Sequence, residues 1–280
     1  MLKKIFKISA VLLLVGFSFF YTDKVIEVIR EEDEVMIKIK EEKDHYFVKP
    51  IDAIVSGNTI IPGINGREVD VDGSYKKMKE QGIYNEKLFV FDEIKPKVRL
   101  EDNQDKFIIS GNKNKKMVSL VFSIDSSRYL EQVDKILNNK NVIGNFFVDY
   151  SYLISNSTVI KDKSHHEFYS YGSNGIYAPD TILFANNLIS RISNNEAIYC
   201  FSPDMSKKTL SLCSKNNLYT ISPTIVGANT PYKNVKNKLE SGSIIFLSLN
   251  NEGMTELPLV IDYIEGKGYK IVGLSTLLSE

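Results

Sequence analysis

Cysteine, histidine and tryptophan are scarce or missing: 280 residues hold two cysteines, three histidines and no tryptophan. Two cysteines, Cys200 and Cys213, can build neither a disulfide scaffold nor a four-cysteine zinc site. Their spacing alone leaves open whether they pair. Three histidines, His45, His165 and His166, strain any mechanism that needs several imidazoles. An excess of either charge is also missing. Thirty-five basic residues balance thirty-five acidic ones, which removes the basic footprint of a nucleic-acid binder, so no nucleic-acid partner is expected. What is present is ordinary globular composition, 43% hydrophobic and 25% charged, enough to bury a core in one or two domains.

The N-terminus is distinctive. Lys3, Lys4 and Lys7 flank an apolar run from Ile8 to Tyr21, the pattern of an export signal with its basic side held in the cytoplasm. Bulky Phe17, Phe19, Phe20 and Tyr21 occupy the end of the run where a cleavage site would need small residues, and neither cysteine is placed for acylation. An uncleaved single-pass anchor over residues 1–22 is therefore expected, touching the membrane through residues 3–21 and leaving the C-terminal domain extracytoplasmic. Exported cysteines would meet oxidising surroundings.

Residues 23–116 alternate apolar and charged side chains, as in Glu34-Val-Met-Ile-Lys-Ile-Lys40, which predicts half-buried strands. The segment is expected to be a small β-rich region able to dock a protein partner. Ser56-Gly57-Asn58, Pro62-Gly63-Ile64-Asn65-Gly66 and Asp72-Gly73 supply turn chemistry. A helix is expected from Ser74, as its cap, to Gly82, and Gly111–Lys116 is expected to be a solvated linker.

From Met117 the pattern changes to strand followed by helix. Seven strands are expected at Val118–Ser123, Val142–Asp149, Glu167–Tyr171, Ala197–Ser202, Leu218–Ile225, Ser243–Leu249 and Tyr269–Leu274. Helical segments fall between them at Tyr129–Leu137, Pro179–Ile192, Ser206–Lys215, Tyr232–Leu239 and Leu257–Gly266. Near-continuous apolar strands such as Ile244–Leu247 are those of a parallel sheet covered on both faces. This is an α/β pattern, a barrel or a doubly wound sheet, and either architecture places its site at the carboxyl ends of the strands.

Val118-Ser-Leu-Val-Phe122 followed by Val142-Ile-Gly-Asn-Phe-Phe-Val148 resembles the first strand, helix and second strand of the NodB-type polysaccharide deacetylases. Gly242–Ser248, Leu257–Ile264 and Lys267–Ser275 are similar to that family's last two strands and the helix between them. The resemblance covers residues 117–280 and implies a distorted (β/α)7 barrel of the polysaccharide deacetylase type. The Gly63–Met78 segment is similar to an N-terminal extension of some clostridial members.

The family's chemistry does not carry over residue by residue. Its members use one aspartate and two histidines to hold a divalent metal, with a second aspartate as base, an orienting arginine and a histidine acid. Placing Phe122 on the first motif, Thr-Phe-Asp-Asp-Gly, puts Ser123 and Ile124 at the aspartates and Asp125 at the glycine. The second motif, His-Glu-x-x-x-His-x-x-x-His, reads His166-Glu167 with Tyr171 and Gly175 at the metal ligands. Ser202 replaces the arginine before Pro203, and Ser248 stands where the acid histidine would be. His165 and His166 are expected to point to opposite faces of a strand and not to share an ion. No metal ligand set and no cofactor is expected.

These residues predict a membrane-anchored, catalytically degenerate deacetylase-like protein that binds a cell-envelope glycan such as peptidoglycan, or a protein partner. Candidate ligand-binding residues are Asp125, Tyr171, Asn174, Asp204 and Ser248, since tyrosine stacks on a sugar face and the others hydrogen-bond hydroxyls. The rival reading is an active N-deacetylase of an N-acetylglucosamine polymer, with zinc or cobalt on Asp125 and His166. A third is structural, with residues 23–116 docking a partner and the barrel as a spacer, and a fourth is a two-carboxylate glycosidase using Asp125, Asp149 or Asp204.

Overall fold

The computed structural model describes residues 16–18, 22, 24–25, 27–126, 129–227 and 229–280. The anchor expected over residues 3–21 lies, apart from 16–18, outside them. Among the described residues no helix is long and apolar enough to cross a membrane. The strands described are, in chain order, β1 (Ile54–Ser56), β2 (Thr59–Ile61), β3 (Gly66–Asp70), β4 (Val90–Ile94), β5 (Phe107–Ile108), β6 (Met117–Ile124), β7 (Asn145–Val148), β8 (Glu167–Ser170), β9 (Tyr199–Phe201), β10 (Tyr219–Ile221), β11 (Ile225–Gly227), β12 (Ile244–Leu247) and β13 (Lys270–Ile271).

The chain forms two compact units, one from residues up to Pro50 together with Asn65–Ile94, the other from Ile51–Ile64 and Lys95–Glu280. The division therefore differs from the expected one at residue 116. The expected linker does not behave as one. Gly111 and Asn112 are buried, the Gly111 N–H donates to Gly242 O at 2.8 Å, and the Asn112 amide donates to Pro62 O at 2.9 Å.

In the first unit β3 and β4 form an antiparallel pair on either side of a helix in the chain, and Ile39, Val69, Met78 and Phe89 make the unit's core. Glu34–Lys40 is not a strand. It belongs to a helix, Glu34–Glu42, because Asp33 caps it by accepting the Val35 N–H at 2.9 Å and Met36 and Ile39, three apart, share its buried face. The second helix runs Val71–Gln81, one turn earlier than expected, so Asp72-Gly73 is its first turn. Asp70 is its cap, and a Cβ at Gly73 would lie 2.1 Å from the Asp70 carboxylate. Ser74 is instead buried and accepts the Val90 N–H at 2.9 Å. Gly82 closes the helix in the left-handed region, at φ 69°.

The second unit is a wall of strands in two hydrogen-bonded arcs, parallel throughout except that β1 runs antiparallel to β2. One arc runs β11-β12-β6-β7-β8, with β13 also on β6; the other runs β1-β2-β5-β10-β9. β6, β7, β8 and β12 come from the apolar runs the sequence marks, and burial on both faces explains their composition. Leu218–Ile225 is two strands, not one. Pro223, with no N–H, breaks the ladder between β10 and β11, and β10 pairs with β5 instead.

The arcs meet at β8 and β9 without a direct ladder, and side chains stand in for it. The Asn195 amide exchanges both hydrogen bonds with the Phe168 backbone at 2.9 Å. The buried Tyr177 hydroxyl donates to Ser170 O and accepts the Phe201 N–H, both at 2.7 Å. Inside the wall, Phe147 of β7 lies 5.2 Å from Tyr169 of β8 and 4.8 Å from Phe201 of β9. Phe201 in turn lies 5.0 Å from Phe246 of β12. Each such ring contributes roughly 1.5–3 kcal/mol by burial. Phe122, Phe146 and Phe168 stack on the opposite face, where Leu137 of the helix Leu130–Asn139 packs close to Phe146. Cys200 on β9 and Cys213 on the helix Lys207–Lys215 are joined as a buried disulfide with Cα atoms 6.5 Å apart, which answers the pairing question left open by their spacing.

Candidate ligand-binding site

Parallel strands bring their carboxyl ends to one rim, and alternation along each strand decides which side chains face inward there. Ser123, Phe147 and Tyr169 are abreast in register on β6, β7 and β8, and the Phe147 and Tyr169 rings stack inside the wall. Two residues further on, with the same parity, come Asp125, Asp149 and Tyr171. β9 adds Phe201, whose ring lies 5.9 Å from that of Tyr171. Asp125 is the first residue past β6 and is exposed, with its charge felt at Tyr171, while Ile124, which the resemblance sets against a family aspartate, is buried.

Asp149 is buried and accepts the Asn174 N–H at 2.7 Å and the Ser151 N–H at 2.8 Å. Burial alone would raise its carboxyl, but these hydrogen bonds from Asn174 and Ser151 outweigh it and hold the group below the usual carboxylate range. Its role is thus to fix the β7 and β8 loops. That removes it from the two-carboxylate glycosidase reading, because its oxygens are already committed. Asn174 is exposed, sits at φ 50°, and contributes its backbone N–H rather than its amide to this bond.

Tyr171 is half-buried. Burial first, then the charges of Asp204 and Asp125, push its phenol above its ordinary value, so it remains a neutral hydroxyl donor. Asp204 is exposed and accepts the Ser202 hydroxyl at 2.9 Å, while Ser202 accepts the Ser206 N–H at 2.9 Å. Ser248 follows β12 half-buried, and its carbonyl closely approaches Gly253. Asp125, Tyr171, Asn174, Asp204 and Ser248 thus all follow strand carboxyl ends, and Tyr171 lies within electrostatic reach of both exposed carboxylates. Gly175 lies against the Tyr171 ring: a Cβ there would stand 3.0 Å from the hydroxyl. The two positions that the resemblance sets against the family's imidazoles therefore touch each other, one holding a ring and the other no side chain.

His166 is elsewhere. It precedes β8, at the amino end of the strands, about five residues or roughly 16 Å of strand from the level of Tyr171. Asp125 and His166 consequently share no site, which corrects the rival catalytic pairing. The expectation that His165 and His166 diverge is also corrected. Both precede the strand, in a turn, and their ring centroids are 4.1 Å apart with each Nε2 3.2 Å from Asp134 Oδ1.

Among the described residues, Asp134, His165 and His166 are the group whose ligand atoms converge closely enough to suggest an ion. Their chemistry does not fit one. The Gly144 N–H donates to His166 Nδ1 at 3.2 Å, so the neutral ring carries its proton on Nε2, the atom a metal would need bare. Lys163 Nζ already neutralises Asp134, 2.9 Å from Oδ2. The cluster ties the helix Leu130–Asn139 to the start of β8. Burial, then the neighbouring His165, lower the His166 imidazole to about 4 against the pull of Asp134. Within the second unit the histidines are His165 and His166, both at the amino ends of the strands, so its rim carries none of its own. The donor set there does not fit the family's metal, and no hydrolytic step through one can be drawn.

No family model matches the chain. A Bacillus subtilis (strain 168) protein, "Uncharacterized protein YlxY", is 26% identical over 279 residues, covering 91% of this chain and 86% of its own. The crystal structure of BA3943 from Bacillus anthracis, a CE4 family pseudoenzyme, superposes with a TM-score of 0.66 at 23% identity, over 89% of this chain and 96% of that one. The fold is that of the CE4 esterases. The structure of the Bc1960 peptidoglycan N-acetylglucosamine deacetylase matches with a TM-score of 0.54 at 16% identity, over 61% of this chain and 92% of its own. The NodB-type resemblance read from the scaffold segments is thereby borne out at the level of the fold.

Tyr177 and Asn195, which seam β8 to β9, were not found by sequence reasoning. An asparagine in the bend between the helix Ile182–Ile192 and β9, or a tyrosine in a Gly-rich loop, leaves no periodic signal.

Proposed function

We propose that this chain is a non-hydrolytic, extracytoplasmic glycan-binding protein that uses a CE4-type rim as a lectin-like surface. The observation that carries the reading is the rim's side-chain set: Tyr171 and Gly175 where imidazoles would stand, carboxylates at Asp125 and Asp204, and no histidine. Without a metal to lower the pKa of water from 15.7 to about 7, amide hydrolysis has no nucleophile there. A neutral phenol and exposed carboxylates suit sugar hydroxyls, with the tyrosine ring as a stacking face. That Bc1960 is a peptidoglycan deacetylase and BA3943 a pseudoenzyme supports an envelope glycan as ligand.

Export fits two observations, the Lys3–Tyr21 pattern and the buried Cys200–Cys213 disulfide, which belongs to an oxidising compartment. The anchor is proposed to keep the rim facing the envelope. Purified residues 23–280 should sediment with peptidoglycan fragments, and Tyr171→Ala should weaken this at least several-fold while leaving the melting transition unchanged. Equal retention of both proteins, or of neither, would refute the reading. Protease protection of the N-terminus in intact cells tests the orientation.

A further inference from the structure

Resting on that reading of the rim, we propose that its ligand is an amino sugar polymer whose nitrogens are free, as ammonium groups, rather than acetylated. The geometry places Asp125 just past β6 and Asp204 just past β9, both exposed, with Tyr171 just past β8, its ring 5.9 Å from Phe201 of β9 and its hydroxyl within reach of both charges. Ion pairs elsewhere in the molecule occupy carboxylates such as Asp33, Asp72, Asp102, Asp134 and Asp262. Among the described residues none involves Asp125, Asp149 or Asp204, and Asp149 is committed to backbone N–H groups. The rim of a chain whose overall charge is zero thus keeps two uncompensated carboxylates beside an aromatic face. That combination recognises a primary ammonium, by charge-assisted hydrogen bonds and by attraction to the ring.

An acetamido group offers neither a charge nor three N–H donors, and anionic stretches of a glycan are repelled. The aromatic ring supplies the apolar contact for the sugar face that a simple polycation would lack. The selectivity thus separates sugars by the state of their nitrogen.

The test is titration calorimetry of residues 23–280 with hexamers of glucosamine and of N-acetylglucosamine, with hexalysine as a charge control. The expected result is binding of the glucosamine hexamer roughly tenfold or more tighter than the acetylated one, and tighter than hexalysine. Asp125→Asn with Asp204→Asn should remove that preference, whereas Asp105→Asn, an exposed carboxylate far along the chain, should not. Equal or tighter binding of the acetylated hexamer overturns this inference and leaves glycan binding standing. Binding of neither sugar overturns both. Hexalysine binding as well as the glucosamine hexamer also overturns it, since charge alone would then account for the effect.

Discussion

Acid should destabilise the second unit through a single buried imidazole. In the unfolded chain His166 takes up a proton near pH 6.5, whereas in the fold it does so only at about 4, chiefly because it is buried. Between those values the unfolded state binds the extra proton, so stability rises with pH there and is lost as pH falls from about 6.5 toward 4. At 1.36 kcal/mol per pH unit the full loss is about 3 kcal/mol, of which about 2 kcal/mol is gone at pH 5. Near-ultraviolet circular dichroism of the buried tyrosines Tyr169, Tyr177 and Tyr199 reports the unit directly. With a slope of about 2 kcal/mol per molar urea, the midpoint should drop by roughly 1 M between pH 7.5 and pH 5. His166→Gln keeps an acceptor for the Gly144 N–H but cannot titrate, so it should abolish most of that drop. An identical pH dependence in the two proteins would refute the assignment.

Tyr177→Phe leaves Ser170 O and the Phe201 N–H unpartnered at the β8/β9 seam and should cost about 2–4 kcal/mol by urea unfolding. Reducing Cys200–Cys213 opens a loop with a sequence separation of 13 and should cost about 3 kcal/mol, read as a lower melting temperature in dithiothreitol. Gly175→His puts a side chain at φ 79° against the Tyr171 ring and should cost about 2 kcal/mol, part of which returns when Tyr171→His is added. Additive melting shifts for those two substitutions would contradict the mutual fit of the pair.

The barrel was legible wherever burial on both faces wrote a continuous apolar run, as in Val118–Phe122 and Ile244–Leu247. It was illegible where one residue overrides the pattern. Pro223 divides an otherwise uniform strand, and Glu34–Lys40 fits both a two-residue and a three-to-four-residue period until Asp33 is recognised as a cap. The rim residues could be named because strand ends are where a parallel fold keeps its chemistry. His166 misled because its His-Glu motif suggested the rim, whereas the strand begins only at Glu167 and places that imidazole at the other end. The seam made by Asn195 and Tyr177 rests on side chain to backbone bonds between distant residues, which local sequence cannot encode visibly.

The central claim, that the rim has lost the means to hold a catalytic ion, is tested most directly by zinc titration of the purified protein alongside acetate release from N-acetylglucosamine oligomers. The account predicts no stoichiometric zinc whose binding depends on Asp125, and no acetate above the uncatalysed background. One equivalent of zinc, with acetate release, both abolished by Asp125→Asn, would contradict it.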